Sequence, residues 1–331
     1  MSVPDLGIEA WLFVAHESIS DGFALSVGGD AHTTKQVTNA FQAAGSTNPD
    51  FKLFFSFDMS NIPCATAADA KFILDLASNF AEQPNYLQLR GLPYVTTFSG
   101  EKCNFGVEGD GLADDTVLNA AWQQGFKDQL DFPVHFAPGF LINPARYELV
   151  PPSWSYCSSC GTYLNSTRNL SVTDGDSNFR GGFSDVLVSP SDLSILSGPL
   201  INPSTIQNGD RRAVAAARAD ITSALQSDPP HLDMIKATGK SYMTAVSPWF
   251  FTHFSQQSFK KNFMFLMDGS AFTSRWKQIL GLRHQIDIVE IVAWNDYGES
   301  NYVNAIRGDV PVCLFSPPGF YHCLIMSLHY V

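Results

Sequence analysis

The sequence is short of positive charge, of long apolar runs and of targeting signals, and each shortage excludes a class of protein. Its 20 Lys and Arg stand against 32 Asp and Glu, and the net charge of -12 would repel a polyphosphate, which excludes nucleic acid as a partner. No apolar run approaches the roughly 20 residues of a membrane helix. The N-terminus has no basic segment followed by an apolar one, so we expect neither a membrane span nor a signal peptide in this chain.

Cysteine is also scarce, with six in 331 residues. Only Cys157 and Cys160 form a CxxC pair, and one such pair without a second is a weak zinc signal, so we predict no metal. A disulfide or two is expected if the protein is secreted. The glycosylation sequons at Asn165 and Asn169 fit that location.

Motifs for nucleotide, metal and serine chemistry are missing. No GxGxxG or GxxxxGK[ST] follows a strand, the eight histidines include no HxxxH or HExxH, and there is no GxSxG elbow. We therefore predict no cofactor.

What the sequence does have is a regular alternation of apolar runs and amphipathic stretches. The runs are continuous, as parallel strands buried on both faces are. Strand, crossover helix and strand at this period predict a (β/α)8 TIM-type barrel, with a doubly wound open sheet as the alternative. The predicted strands are 22–28, 52–58, 92–98, 132–138, 241–247 and 287–294, and the clearest predicted helices are 66–82 and 114–130.

Residues 148–227 break the pattern, because they are rich in Ser, Gly, Asp and Pro. We predict an irregular insertion there, with a plausible helix at 210–225. The expected organisation is a catalytic barrel over 1–309 that carries this insertion, followed by a divergent tail over 310–331.

Acidic side chains follow several predicted strands, where a barrel of this type has its active site. Asp58 and Glu101 follow the second and third runs, and Asp296 and Glu299 follow the last. Two carboxyl groups beside aromatic residues suit glycosidic bond cleavage, which needs one to protonate the leaving oxygen and one to activate water or attack the sugar. The alternative is a capping box, with Asp296 as the N-cap. His135 could point into the pocket or be a hydrogen-bonded core histidine.

The motifs AWNDYGES, FKLFFSFDMS, LPYVTTFSGE, FAPGFLINPARY and VSPWFFTHF together resemble glycoside hydrolase family 71, the fungal α-1,3-glucanases or mutanases. The resemblance covers roughly 8–147 and 228–309. It implies a (β/α)8 barrel, secretion to the cell wall, and cofactor-free hydrolysis of α-1,3-glucan with inversion by Asp296 and Glu299, whose carboxyl groups should then lie roughly 6.5–9.5 Å apart. We expect a monomer that binds the glucan through Asp58, Glu101, His135, Trp249, Trp294, Asn295 and Tyr297.

Three regions depart from the family: the first strand, which looks missing, the 148–227 region, where the sixth strand should fall, and the tail. A residue that is usually His in the family is Asn301 here. We therefore predict an incomplete barrel with two unpaired edges. The competing hypothesis is a non-catalytic remnant that binds glucan or does nothing, and a third is an unrelated barrel enzyme.

Overall fold

The computed structural model describes residues 20–142 except 31, residues 170–182, residues 325–330, and residues 228–304 except 237, 249–250, 254–261, 265–269, 298 and 300. The helix predicted at 210–225, both sequons, the CxxC pair and Trp249 lie outside these residues.

Strands and helices alternate through the described chain. The strands are β1 (Gly22–Val27), β2 (Lys52–Asp58), β3 (Gln88–Leu89), β4 (Leu92–Phe98), β5 (His135–Phe136), β6 (Gly175–Asn178), β7 (Ser241–Val246), β8 (Phe251–His253), β9 (Asn262–Met264), β10 (Ile288–Ile291) and β11 (Ile325–Tyr330). The α-helices are α1 (Thr33–Thr47), α2 (Lys71–Phe80), α3 (Asp115–Gly125), α4 (Asp228–Lys236) and α5 (Ser270–Leu282). All six predicted strands and both clearest predicted helices are confirmed, although β5 is shorter than its apolar run.

Eight of these strands form a barrel in the order β5, β4, β2, β1, β11, β10, β7 and β6, with β3 as an outer strand on β4. Two backbone hydrogen bonds join the ends of the series: Asp174 N–H donates to the Phe136 carbonyl (2.7 Å) and Ser177 N–H to the Pro138 carbonyl (3.3 Å). Gly139 lies in this seam, where an added Cβ would come within 2.6 Å of the Thr97 carbonyl oxygen. The fold is therefore a (β/α)8-type barrel, and its short β5–β6 seam requires a glycine.

The position between β1 and β10 is taken by β11. It pairs antiparallel with both neighbours, Ala24 opposite Met326 and Glu290 opposite Leu328, whereas the other barrel pairs are parallel. The predicted tail outside the barrel is thus wrong over 325–330. The sequence pattern missed this strand because its pairing depends on a gap left by distant segments.

The predicted irregular insertion is likewise wrong over 175–178, where β6 pairs in parallel with β7. Its sequence, GDSN, has no apolar residue that could have predicted a strand. Asp176 and Asn178 point outward and contact α4, since Asp176 pairs with His231 and the Asn178 amide donates to Asp228 (3.2 Å). Gly175 and Ser177 alternate with them and face the barrel interior.

The helices over the first half of the barrel are held by aromatic packing. Phe55 on β2, with no exposed surface, contacts Phe41 of α1, Phe80 of α2 and Tyr86, with ring centroids 5.6–6.0 Å apart. Burial of whole aromatic side chains dominates this interface energetically.

Candidate active site

The segment after β10 folds back on itself at the carboxyl end of the barrel. Asn301 N–H donates to the Asp296 carbonyl (2.8 Å), and Asn304 N–H donates to the Trp294 carbonyl (3.0 Å). At the base, the buried Asn301 accepts a hydrogen bond from Ser247 Oγ (2.9 Å), just beyond β7. Asn301, which stands where His is usual in the family, therefore links the turn that carries Asp296 and Glu299 to the end of the neighbouring strand β7.

The two carboxyl groups of this turn interact directly. Burial, the negative charge of Asp296 and a hydrogen bond between the two side chains raise the pKa of Glu299 to about 8. Glu299 is thus protonated at neutral pH and can donate a proton, while Asp296 lies beside it.

The spacing of the pair differs from the expected one. Because the two carboxyl groups share a hydrogen bond, they lie closer than the roughly 6.5–9.5 Å that leaves room for a water molecule in an inverting enzyme. Asp296 Oδ1 also accepts from the Glu299 N–H (3.0 Å), as in a capping box. No helix follows among the described residues 294–304, so the bond closes a turn instead.

Two predicted contacts, Asp58 and Glu101, lie on neighbouring loops. Asp58 ends β2, and its carboxylate accepts from Ser60 N–H (3.1 Å) and Ser60 Oγ (2.5 Å) and from the Asn61 amide. Glu101 is 4% exposed and accepts from Ser99 Oγ (3.1 Å) and the Leu141 N–H (3.1 Å). Asp58 is partly exposed, whereas Glu101 organises the loops after β4 and β5.

His135 and Trp294 are buried. His135, on an inward position of β5, bonds Ser241 Oγ (2.7 Å) and stacks on Tyr94. Burial lowers the pKa of His135 to about 4, so it is neutral, which matches the predicted alternative of a core histidine. Trp294 packs against Phe23, with ring centroids 5.4 Å apart.

Asn295 and Tyr297 are partly exposed beside the carboxyl pair. Tyr297 lies 4.9 Å from Tyr302 between ring centroids, and its hydroxyl oxygen accepts from the Asn304 amide (3.4 Å). These two residues, with Asp58 and the carboxyl pair, are the predicted site residues that the described structure leaves accessible to a ligand.

Two aromatic residues at the barrel mouth were missed by the sequence analysis. Phe98 ends β4 on the same inward face as Tyr94, and Phe179, in the 3-10 helix that follows β6, packs against it with ring centroids 5.0 Å apart. Phe98 lies directly across from Asp58 in the sheet register. The available signal was the final residue of the predicted strand 92–98.

A disulfide joins two loops on this same face. Cys64, after β2, is bonded to Cys103, after β4, and the Phe105 N–H donates to the Cys64 carbonyl (2.9 Å). The bond therefore ties the loop that follows Asp58 to the loop that carries Glu101. The sequence analysis expected a disulfide but did not pair the cysteines.

The described residues contain neither a candidate metal site nor a candidate membrane helix. No group of three or more His, Cys, Asp or Glu there is arranged to hold a metal ion. None of the described helices combines the length and apolar character required to cross a bilayer.

The chain matches a known protein family. The model of glycosyl hydrolase family 71 matches residues 12–129 and 212–312, which is more than half of the chain. The match includes Asp58, Glu101, Asp296 and Glu299.

Similar proteins include two from Schizosaccharomyces pombe. A glucan endo-1,3-alpha-glucosidase is 31% identical over 88% of this chain and 52% of its own length. An ascus wall endo-1,3-alpha-glucanase is 27% identical over the same shares of the two chains. A mutanase of Penicillium rubens is 29% identical over 91% of this chain and 51% of its own length. The chain thus spans about half the length of the relatives it matches.

Among solved structures, a GH99 endo-alpha-mannosidase from Bacteroides thetaiotaomicron aligns with a TM-score of 0.52. The alignment covers 89% of this chain and 68% of the other, at 11% identity. At this identity the likeness concerns the fold alone, and it agrees with the barrel described above.

Proposed function

The chain belongs to glycosyl hydrolase family 71, and from that premise we propose that it hydrolyses α-1,3-glucan with Asp296 and Glu299 as its acid and base pair. The observation that carries the proposal is the contact between these carboxyl groups, which raises the pKa of Glu299 to about 8. The three relatives are named for activity on 1,3-α-glucan or as a mutanase, which supports this substrate class.

In the proposed mechanism Glu299 is the general acid. A carboxyl group that stays protonated at neutral pH donates its proton to the glycosidic oxygen as the bond breaks. Asp296 is then the general base that takes a proton from the attacking water. Because inversion needs that water between the base and the sugar, binding of substrate must break the hydrogen bond between the two side chains.

Sugar contacts are proposed from the accessible side chains at the mouth. Asp58 and Asn295 offer polar groups, while Tyr297 offers a ring and a hydroxyl. Trp249 lies outside the described residues, and its contact with the glucan stays a prediction. Glu101, His135 and Trp294 are buried here, so their proposed roles require the loops above them to open.

We place the protein outside the cell or in the cell wall, acting as a monomer. The Cys64–Cys103 bond favours an oxidising compartment, and one relative is named for the ascus wall.

Reducing-sugar release from insoluble α-1,3-glucan tests the function, once circular dichroism has shown that the chain melts cooperatively. Glu299→Gln should lower kcat by at least about a hundredfold, because the proton donor is lost, and Asp296→Asn should do the same. The wild-type kcat should fall as the pH rises through about 8, when Glu299 loses its proton. Nuclear magnetic resonance of the first product reports its anomeric configuration, and retention would exclude the inverting mechanism.

The remnant hypothesis is supported by β11, which pairs antiparallel with β10 although the strands of a regular (β/α)8 barrel are parallel. A folded chain that binds the glucan without releasing sugar would favour it. Release that survives both substitutions would exclude Asp296 and Glu299 as the catalytic pair.

A further inference from the structure

Phe98 and Phe179 form an aromatic pair at the mouth of the barrel. Their ring centroids lie 5.0 Å apart with an interplanar angle of 64°. Both side chains are partly exposed. Phe98 occupies an inward position at the carboxyl end of β4, and Phe179, in the 3-10 helix that follows β6, packs against the hydrophobic core. Exposed apolar surface is costly to keep at the opening of a cavity, so a pair placed there suits a ligand with an apolar face.

The pair faces the carboxyl groups across the opening. Going round the barrel, β4 is four strands from β10 in either direction, which places Phe98 on the opposite wall from the turn that carries Asp296 and Glu299. Phe179 follows β6, two strands from β10. A sugar held on these rings would therefore present its other side to the acid and base.

Phe179 is held by a rigid polar neighbour. The buried Asn178 amide donates to Tyr242 Oη (3.0 Å) and to the Asp228 carboxylate (3.2 Å), while its carbonyl oxygen accepts from the Gly181 N–H (3.0 Å). These bonds fix the short turn that contains Phe179. Phe98 is fixed in turn by the β2–β4 ladder opposite Asp58.

We propose that Phe98 and Phe179 form the stacking wall that binds one glucose unit of the glucan through its apolar C–H face and orients it toward Asp296 and Glu299. The inference rests on the proposed function and names positioning residues for it. An aromatic face supplies binding energy without a hydrogen bond, and Asp58, across from Phe98, supplies the polar contact at the rim of the ring. The pair therefore selects a pyranose by shape as well as by hydroxyl pattern.

The test compares Phe98→Ala, Phe98→Leu and Phe98→Trp with wild type in glucan hydrolysis, with melting curves as the folding check. Loss of the ring should raise KM by about tenfold to a hundredfold and change kcat less, in line with the burial of one aromatic side chain. Leu keeps the bulk but not the flat face, so it should behave like Ala, whereas Trp should stay within about threefold of wild type. Phe132→Ala, a partly buried phenylalanine before β5 at the other end of the barrel, is the matched control and should leave KM unchanged.

The outcomes separate this inference from the proposed function. Hydrolysis with an unchanged KM in the Ala and Leu variants would overturn the stacking wall and leave the function standing. If folded wild type releases no sugar, the proposed function fails, and co-sedimentation with insoluble glucan decides the inference instead. If Phe98→Leu no longer sediments with the glucan while Phe98→Trp still does, the stacking wall is supported. Equal co-sedimentation of the two variants overturns it.

Discussion

The two halves of the barrel hold their helices by different chemistry. Phe55 lies at the centre of the first half, where rings from α1 and α2 pack on β2 without a polar contact of their own. In the second half the corresponding layer is a buried polar network, in which Arg275 of α5 bonds Asp228 of α4, both 1% exposed. The first interface is apolar, and its packing does not require particular bond angles. The second depends on the distances and angles of its hydrogen bonds.

The polar network is complete around Asp228. Its carboxylate accepts from Tyr242 Oη (2.7 Å) and Thr244 Oγ1 (2.5 Å), besides Arg275 and the Asn178 amide. Burial alone would raise the pKa of Asp228, but the hydrogen bonds and charge of Arg275 outweigh it and lower that pKa. One barrel thus uses nondirectional packing on one side and a hydrogen-bonded buried ion pair on the other. The following variants test that contrast.

The largest effect is expected for Arg275→Met, which leaves Asp228 as a buried charge without its cation. Unfolding in urea should show a loss of about 3–5 kcal/mol. Arg283→Met, at an exposed arginine just after α5, is the matched control and should change stability by less than about 0.5 kcal/mol. A loss under about 1 kcal/mol for Arg275→Met would mean that the network is not cooperative.

Phe55→Leu should cost less, about 2 kcal/mol, because the replacement is still apolar and the neighbouring rings can close part of the cavity. The same urea titration measures it. If Phe55→Leu lowered the free energy of unfolding as much as Arg275→Met, the aromatic half would be as sensitive to substitution as the polar half, and the contrast between them would disappear.

A smaller, pH-dependent effect is expected at His231 of α4, whose Nδ1 bonds the Asp176 carboxylate on β6. Burial would lower the pKa of His231, but the charge and hydrogen bond of Asp176 and the charge of Asp228 raise it overall. Because the pKa is higher in the folded state, this stabilisation is fully present below the unfolded value of about 6.5 and is lost as the pH rises through the folded pKa.

His231→Gln should therefore cost about 1.5 kcal/mol near pH 5.5 and progressively less at alkaline pH. Melting temperatures of both proteins across pH 5–9 measure the difference. The groups facing His231 include Asp176, Asp228 and the Tyr242 ring, 6.0 Å away between centroids. A difference independent of pH would show that His231 contributes by packing alone.

The smallest effect is expected for Lys71→Ala on the outer face of α2. Lys71 and Asp75 form an ion pair (2.6 Å) with side chains 76% and 55% exposed. Pairs of this kind contribute about 0–0.5 kcal/mol, because solvent screens them. A loss above about 1 kcal/mol by chemical denaturation would contradict that expectation and weaken the distinction between surface and buried ion pairs.

The same contrast explains which elements the sequence predicted. In the first half, β2 coincides with the run KLFFSFD and β4 with LPYVTTF, because strands buried on both faces by apolar packing carry apolar side chains. In the second half, β6 is polar and its side chains bond to α4, 50 or more residues further along the chain. No local pattern can report such partners.

The candidate site divides in the same way. Asp296 and Glu299 follow an apolar run that ends in carboxyl groups, and both were predicted from the sequence as candidates. Their mutual hydrogen bond was not, and neither was the burial of His135 and Trp294. Phe98 and Phe179 were missed because they approach each other only when β4 and β6 lie on either side of β5.

The alternating strands and helices, the barrel class and the family could be predicted without the structure, since hydrophobic period and motif order are local properties of the chain. The pairing of β6 and β11 in the barrel, the bond between Cys64 and Cys103, and the burial that raises the pKa of Glu299 depend on the tertiary structure. The physical reason is that strand pairing, burial and carboxyl proton affinity depend on distant groups brought within a few ångströms, and only folding sets those distances.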